Sequence, residues 1–195
     1  MTTIYLVRHG ITHANKEKRF AGRTGEKLHA EGKEQIMQVG DKLKSKDITT
    51  VYCGPAKRTV QSAEILGSLL KISFLPIEEL DEIYIPHWDG LTKDEIRQKC
   101  GDQYPTWLNS PQKFNLPGCE TLKQVQERAV GAVNRLMEQH NSGSLLLVSH
   151  LIVLRCLFLH YQGLEIEDFR SIKIDNGSIL QVSEMDNGRV SVHFL

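Results

Sequence analysis

Two short apolar runs, each stopped by a histidine, constrain this chain more than any other feature. Thr3–Val7 is β-branched and apolar and ends at Arg8-His9-Gly10, and Leu145-Leu146-Leu147-Val148 ends at Ser149-His150. Runs this short read as buried strands rather than helices. Amphipathic stretches alternate with them. From Ala30 to Leu43, apolar Ile36, Val39, Gly40 and Leu43 recur at helical spacing. Val60, Ala63, Ile65, Leu66 and Leu69 do the same in a helix running to about Leu70, which Gly54-Pro55 opens with Pro55 in the first turn. Thr50–Cys53 and Ile72–Leu75 are further strands, and Leu122–Glu138 and Ile152–Leu159 further helices. This alternation predicts an α/β fold, a three-layer α/β/α sandwich around a mostly parallel sheet.

The remaining segments are less regular. Residues 11–29 are polar and read as a long connecting loop, and such loops usually carry function. Residues 76–120 are rich in proline, hold both tryptophans and show one weak helix near Lys93–Lys99. They are expected to form a small cap over the site, inside a single domain spanning 1–195. The tail suggests strands at Ser171–Ile174, Ile179–Ser183 and Arg189–Phe194, with turns at Asn176-Gly177 and Asn187-Gly188, the second closing a hairpin.

Composition narrows the partners. The 195 residues hold 24 Lys plus Arg and 24 Asp plus Glu, so the formal net charge is zero. A nucleic-acid or membrane partner usually demands a basic excess, and none is expected here. Met1–Arg8 reaches a charge too soon for a signal peptide, and no stretch approaches the roughly 18 apolar residues of a membrane span. A cytoplasmic location is expected, with Cys53, Cys100, Cys119 and Cys156 as free thiols.

In open α/β sheets, sites lie at the carboxyl ends of strands. Arg8-His9 and Ser149-His150 follow two strands, and the strand ending at Cys53 leads into the helix that carries Arg58. Two histidines and two arginines are thus placed to meet at one sheet edge. Arginine holds tetrahedral oxyanions through a planar fork of donors and keeps its charge. A neutral imidazole is a competent nucleophile toward phosphorus. Arginines can supply the charge neutralisation that a metal gives elsewhere, so neither metal nor cofactor is expected. The chain lacks the phosphate-binding G-x-x-x-x-G-K-[ST] loop, the dinucleotide G-x-G-x-x-G fingerprint and H-E-x-x-H.

At this point the residues form a recognisable set. Leu6-Val7-Arg8-His9-Gly10-Ile11-Thr12, followed by Asn15, resembles the R-H-G signature of the histidine phosphatase superfamily, in its phosphoglycerate mutase-like branch. Gly22…Leu28…Gly32, Val51–Ala63 around Arg58, Leu80-Asp81-Glu82-Ile83 with Trp88-Asp89-Gly90, Pro117–Thr121 and Leu147–His150 are similar to further blocks of that family, in the same order. The resemblance implies roles. His9 would attack phosphorus and become a phosphohistidine. Arg8, Arg58 and His150 would hold the equatorial oxygens, and Glu82 would serve as general acid and then base. Asn15 would add a phosphate hydrogen bond, while Ala21, Gly22 and the Leu151 backbone would border the substrate. His9 is expected to donate through its other ring nitrogen to a backbone carbonyl. His29 and His87 are expected at the ligand rim.

The implied function is a metal-independent phosphatase acting on a small phosphate monoester, as a monomer or homodimer whose partner is a small phosphorylated metabolite. Two alternatives stand beside it: a cofactor-dependent phosphoglycerate mutase-type transferase, and a weakly catalytic phosphate-sensing module. The short segment between Glu82 and His150, without an adjacent arginine pair, favours hydrolysis over the mutase. Ile11, Gly25, Lys27, His29, Pro86-His87 and Leu151 depart from the family pattern and bear on substrate identity. The compact length and the Asp175–Ser178 tail are similar to the α-ribazole, broad-specificity and phosphoserine phosphatase groups.

Overall fold

The computed structural model describes residues 2–140, 142–184 and 190–195. Six strands form one sheet: β1 (Thr2–Arg8), β2 (Ile48–Cys53), β3 (Phe74–Pro76), β4 (Gly143–Ser149), β5 (Ile179–Glu184) and β6 (Val190–Phe194). Their order is β3-β2-β4-β1-β5-β6. β1 through β4 are mutually parallel, and β5 alone runs against its neighbours β1 and β6. Around the sheet lie α1 (His13–Lys16), α2 (Ala30–Leu43), α3 (Lys57–Leu70), α4 (Lys93–Cys100), α5 (Gln103–Asn109), α6 (Leu122–Gln139) and α7 (Leu151–Gln162).

Successive strand side chains point to opposite faces, and both faces are buried here, which is why the strands read as unbroken apolar runs. Ile4 and Leu6 of β1, with Leu145 and Leu147 of β4, pack against α6, α7 and the 77–120 segment. Tyr5, Val7, Leu146 and Val148 face the other way, toward α2 and α3. The result is a three-layer α/β fold, as the alternation of strands and helices implies. After β3 the chain crosses to the opposite face through residues 77–120 and α6, then inserts β4 between β1 and β2. The ends of β1 and β4 therefore lie side by side, with Arg8 opposite Ser149.

Several local expectations need correction. No strand forms over Ser171–Ile174, because arginines take its carbonyls: Arg155 Nε donates to Ile172 O and Arg8 Nη1 to Ile174 O, both at 2.7 Å. Pro55 lies outside α3, which starts at Lys57 with Ala56 as its N-cap. The 11–29 loop contains α1, whose first turn is fixed by a reciprocal Thr12–Asn15 capping box. The 76–120 segment holds α5 besides the expected α4, and its Pro105 sits in the first turn, where no helical N–H is needed. That segment closes on an aromatic cluster. Trp88 is fully buried, with ring centroids of Phe20, Tyr104, Trp107 and Phe114 within 5.1–5.7 Å. The Asn187-Gly188 turn lies outside the described residues, though β5 and β6 pair antiparallel on either side of it.

Candidate active site

Arg8, His9, Asn15, Ala21, Gly22, Arg58, Glu82 and Leu151 line one cavity of about 130 Å³, joined by Arg19, Phe20 and Ile152. His150 lies just behind this lining. His9 and His150 leave adjacent parallel strands, and their rings meet edge to face with centroids 5.3 Å apart. The ladder continues past the strand ends, since the His9 amide donates to Ser149 O and the Gly54 amide to Val148 O, both at 3.0 Å. Those bonds bring the ends of β1, β4 and β2 to one level, and α3 then delivers Arg58 between the histidines. The turn after His9 is compact because Gly10 meets the first turn of α2 backbone to backbone. A Cβ on Gly10 would collide with the Gly32 carbonyl.

The core of the site is nearly dry. His9, Arg58, His150 and Glu82 are 3%, 1%, 0% and 8% exposed. Hydrogen bonding fixes both tautomers. His9 Nδ1 lies 2.8 Å from the Gly10 carbonyl, which can only accept, so Nδ1 carries the proton and Nε2 keeps its lone pair. Arg58 Nε donates to that Nε2 at 3.3 Å. His150 is the converse. Its Nδ1 accepts from Arg58 Nη2 at 3.0 Å, so the neutral ring carries its proton on Nε2, which faces Asp81 Oδ1 at 3.6 Å. Burial, reinforced by Arg58 and then Arg8, holds His9 well below the ordinary histidine pKa. Burial, with Arg58 next, does the same for His150. Both rings are neutral at physiological pH.

The two arginines remain cations. Burial lowers Arg8 to about 10, against the opposing pull of Glu82. Arg58 Nη2 also donates to the Gly22 carbonyl at 2.6 Å, while Arg8 Nε and Arg58 Nη1 are buried with no partner in the protein. Gly22 needs its left-handed φ of 50°, and a Cβ there would fall on Asp89 Oδ1. Asn15 Oδ1 accepts from the Thr12 amide and from Asn176 Nδ2, leaving its own amide protons free to donate. Glu82 Oε1 accepts from the Ile83 amide at 2.9 Å. Burial raises the Glu82 pKa, although Arg58 pulls the other way.

Sequence reasoning missed the groups that hold Glu82. Arg23 Nε and Arg128 Nη2 both donate to the Glu82 carbonyl, at 2.8 and 3.2 Å. The Glu120 carboxylate accepts from both guanidiniums and from the Tyr84 amide. Asp81 Oδ1 accepts from the Glu82 amide at 2.8 Å. Asn176 was legible only as a turn residue, yet it also donates to His9 O at 3.0 Å. Neither His29 nor His87 reaches the cavity. His29 accepts from the Glu31 amide as the N-cap of α2, and His87 lines a separate hollow with Lys99, Cys100 and Leu116. Among the described residues, no group of three or more His, Cys, Asp or Glu is gathered as metal ligands, and no helix is long and apolar enough to cross a membrane.

A parallel sheet edge that gathers a neutral histidine, the buried Arg58, the half-buried Arg8 and a carboxyl around one cavity is built for phosphoryl chemistry, and with the likenesses that follow it marks a phosphoric monoester hydrolase. Residues 4–195 match the histidine phosphatase superfamily (branch 1), and the chain belongs to that family. It is 25% identical over 189 residues to Phosphoserine phosphatase 1 of Hydrogenobacter thermophilus, covering 96% of this chain and 90% of that protein. It is 29% identical over 187 residues to a Salmonella choleraesuis protein named "Probable phosphoglycerate mutase GpmB", covering 96% and 87%. Among solved structures, Bacillus stearothermophilus YhfR superposes with a TM-score of 0.92 at 28% identity, covering all of this chain and 95% of the other.

Proposed function

We propose that this chain hydrolyses a small phosphate monoester, without a metal ion, through a phosphohistidine on His9. The observation that carries this reading is the tautomer of His9: Nδ1 is tied to Gly10 O, so the lone pair is on Nε2, where it accepts a long 3.3 Å bond from Arg58 Nε that the oxygens of a bound phosphate would take over. Nε2 attacks phosphorus in line as the bond to the ester oxygen breaks. The unpaired Arg8 Nε and Arg58 Nη1 donors take the equatorial oxygens, with Asn15 alongside, and His150 sets the Arg58 plane. Glu82, protonated more readily than an exposed glutamate, gives its proton to the leaving oxygen. Its carboxylate then takes a proton from water, which attacks phosphorus, cleaves the P–N bond and releases phosphate with His9 neutral again. Residues 76–120 bring Glu82 to the site and, in this reading, act as its cap within one domain.

The test is turnover of a phosphate-ester panel in EDTA, with His9→Ala as control. Hydrolysis that survives EDTA, is lost in His9→Ala, and leaves acid-labile, alkali-stable phosphate trapped on quenched wild-type protein is the expected result. Loss of activity in EDTA overturns the metal-free mechanism. Glu82→Gln should slow esters with poor leaving groups more than an activated aryl phosphate, and equal losses would move the acid role to Asp81 or Asp89. The likeness to a mutase-named relative keeps a second reading, which phosphoryl transfer to a phosphoglycerate acceptor in place of water would favour.

A further inference from the structure

Asp81 and Glu82 are the buried acids of the described residues, at 6% and 8% exposed, and the phosphoryl chemistry above uses only the second. Three neighbours surround the Asp81 carboxylate. Oδ1 accepts from the Glu82 amide at 2.8 Å, and Oδ2 lies 3.4 Å from Arg23 Nε. The third neighbour is His150, whose Nε2 lies 3.6 Å from Oδ1. That nitrogen is buried and has no hydrogen-bond partner among the described residues. A neutral His150 carries its proton there, because Nδ1 accepts from Arg58 Nη2, so the N–H faces the Asp81 carboxylate.

The chain on both sides builds this approach. Ser149 Oγ donates to Leu80 O at 2.7 Å, which ties the residue before His150 to the residue before Asp81. Gly54, just past the end of β2, leaves the space in which they meet. A Cβ there would stand 2.7 Å from the Leu80 carbonyl oxygen and 3.2 Å from His150 Nε2. Three separate stretches of chain therefore converge on one ring nitrogen. At 3.6 Å the pair is longer than a hydrogen bond, and it acts through charge. With both groups shut off from water, a negative charge beside Nε2 favours the tautomer that keeps its proton on that side. The opposite tautomer would set an Nδ1–H against the Arg58 guanidinium, donor against donor, where Nδ1 now accepts at 3.0 Å.

We propose that Asp81 is a positioning residue for phosphoryl binding: its carboxylate holds His150 as the Nε2–H tautomer, and that ring holds the Arg58 guanidinium in the plane that leaves Nη1 for the phosphate oxygens. The proposal rests on the phosphatase reading of the His9 site and deepens it. Asp81 is the sequence neighbour of the general acid, yet its effect runs to the opposite half of the site.

Asp81→Asn keeps an oxygen for the Glu82 amide and removes the charge. Its kcat should fall about tenfold or more, by the same factor on an alkyl phosphate as on p-nitrophenyl phosphate. A loss concentrated on the alkyl ester means that Asp81 acts through Glu82, and overturns the proposal. In a His150→Asn background the same substitution should change kcat by less than about twofold, because the ring through which it acts is gone. A full further loss in that background also overturns it. Long-range proton–nitrogen correlation spectra of the histidine rings read the tautomer without any turnover. His150 should show a protonated Nε2 and a bare Nδ1 in the wild type, and the two nitrogen shifts should move toward each other in Asp81→Asn. Asp81→Ser, smaller and also uncharged, reads the same spectra should the asparagine variant fold poorly. Unmoved His150 shifts alongside intact ester hydrolysis in the wild type mean that the Asp81 role fails while the phosphatase reading stands. If the wild type hydrolyses no ester, the phosphatase reading fails. The spectra then decide Asp81 on their own, moved shifts supporting its hold on His150 and unmoved shifts overturning it.

Discussion

His9 and His150 stand at the ends of neighbouring parallel strands, and main-chain hydrogen bonds set the spacing between them. Glu82 faces the same cavity from irregular chain between a 3-10 turn at Glu78–Leu80 and another at Pro86–Trp88. No ladder reaches it. Two guanidiniums on its carbonyl, both anchored to Glu120, do the placing instead. One half of the site is thus fixed by the sheet and the other by side chains arriving from residues 23, 120 and 128. Changes in the sheet-borne half should strike the phosphoryl chemistry itself, whereas changes behind Glu82 should strike proton delivery.

The sharpest way to break this contrast is Arg58→Ala. It removes a donor to both histidines and a buried cation at the cavity, and turnover should fall about 10³-fold on every ester, activated or not. A loss confined to poor leaving groups would refute the division. Arg128→Ala should cost about 10²-fold in kcat on alkyl phosphates, with a smaller loss on p-nitrophenyl phosphate and little change in KM. Arg128→Lys should not restore it, because one ammonium cannot serve Glu79 O, Glu82 O and Glu120 together.

The two halves also titrate in opposite senses. Both histidines have folded pKa values below 6.5, so the unfolded chain takes up protons first as pH falls. Stability from each is present above about pH 6.5 and is lost below it, by up to about 1.4 kcal/mol per pH unit. Glu82, with its raised pKa, gains a proton in the folded state first and works the other way on acidification. Asp89, raised by burial to about 6, works in the same sense as Glu82, so the histidine contribution is read by difference: in urea unfolding, His150→Asn should lose less stability than the wild type as pH falls below 6.5. The smallest effect is expected at Arg135→Ala. Arg135 rises from α6 like Arg128, but its partner is the half-exposed Glu79 carboxylate rather than the Glu82 backbone. Stability should move by no more than about 0.5 kcal/mol, with kcat within twofold.

The half that the sheet fixes was legible in the sequence. An apolar run stopped by a histidine is a local pattern, and two of them in a parallel sheet place both rings without further information. The 77–120 half was legible only as a motif around Glu82. What holds that glutamate is side chain to backbone contact across long stretches of chain, as from Arg23 and Arg128, and such contacts leave no periodicity. The absent strand at Ser171–Ile174 has the same origin: its residues suit a strand, but Arg8 and Arg155 claim its carbonyls from elsewhere in the fold. Asn176 shows how one residue can hide a second role, since its turn is local while its bonds to Asn15 and His9 O are not.

Trp88 and Trp107 are the chain's two tryptophans, and both lie in the aromatic cluster of the 77–120 segment, with the Trp88 indole N–H donating to Cys100 Sγ at 3.2 Å. Intrinsic fluorescence is therefore a local optical gauge of that segment, and a thiol against the indole makes emission sensitive to small shifts in its packing. Far-ultraviolet circular dichroism is dominated instead by the sheet and the longer helices. Followed together through a denaturant titration, the two signals would time the 77–120 segment against the sheet and its helices. Coincident transitions would mean that they melt as one cooperative unit.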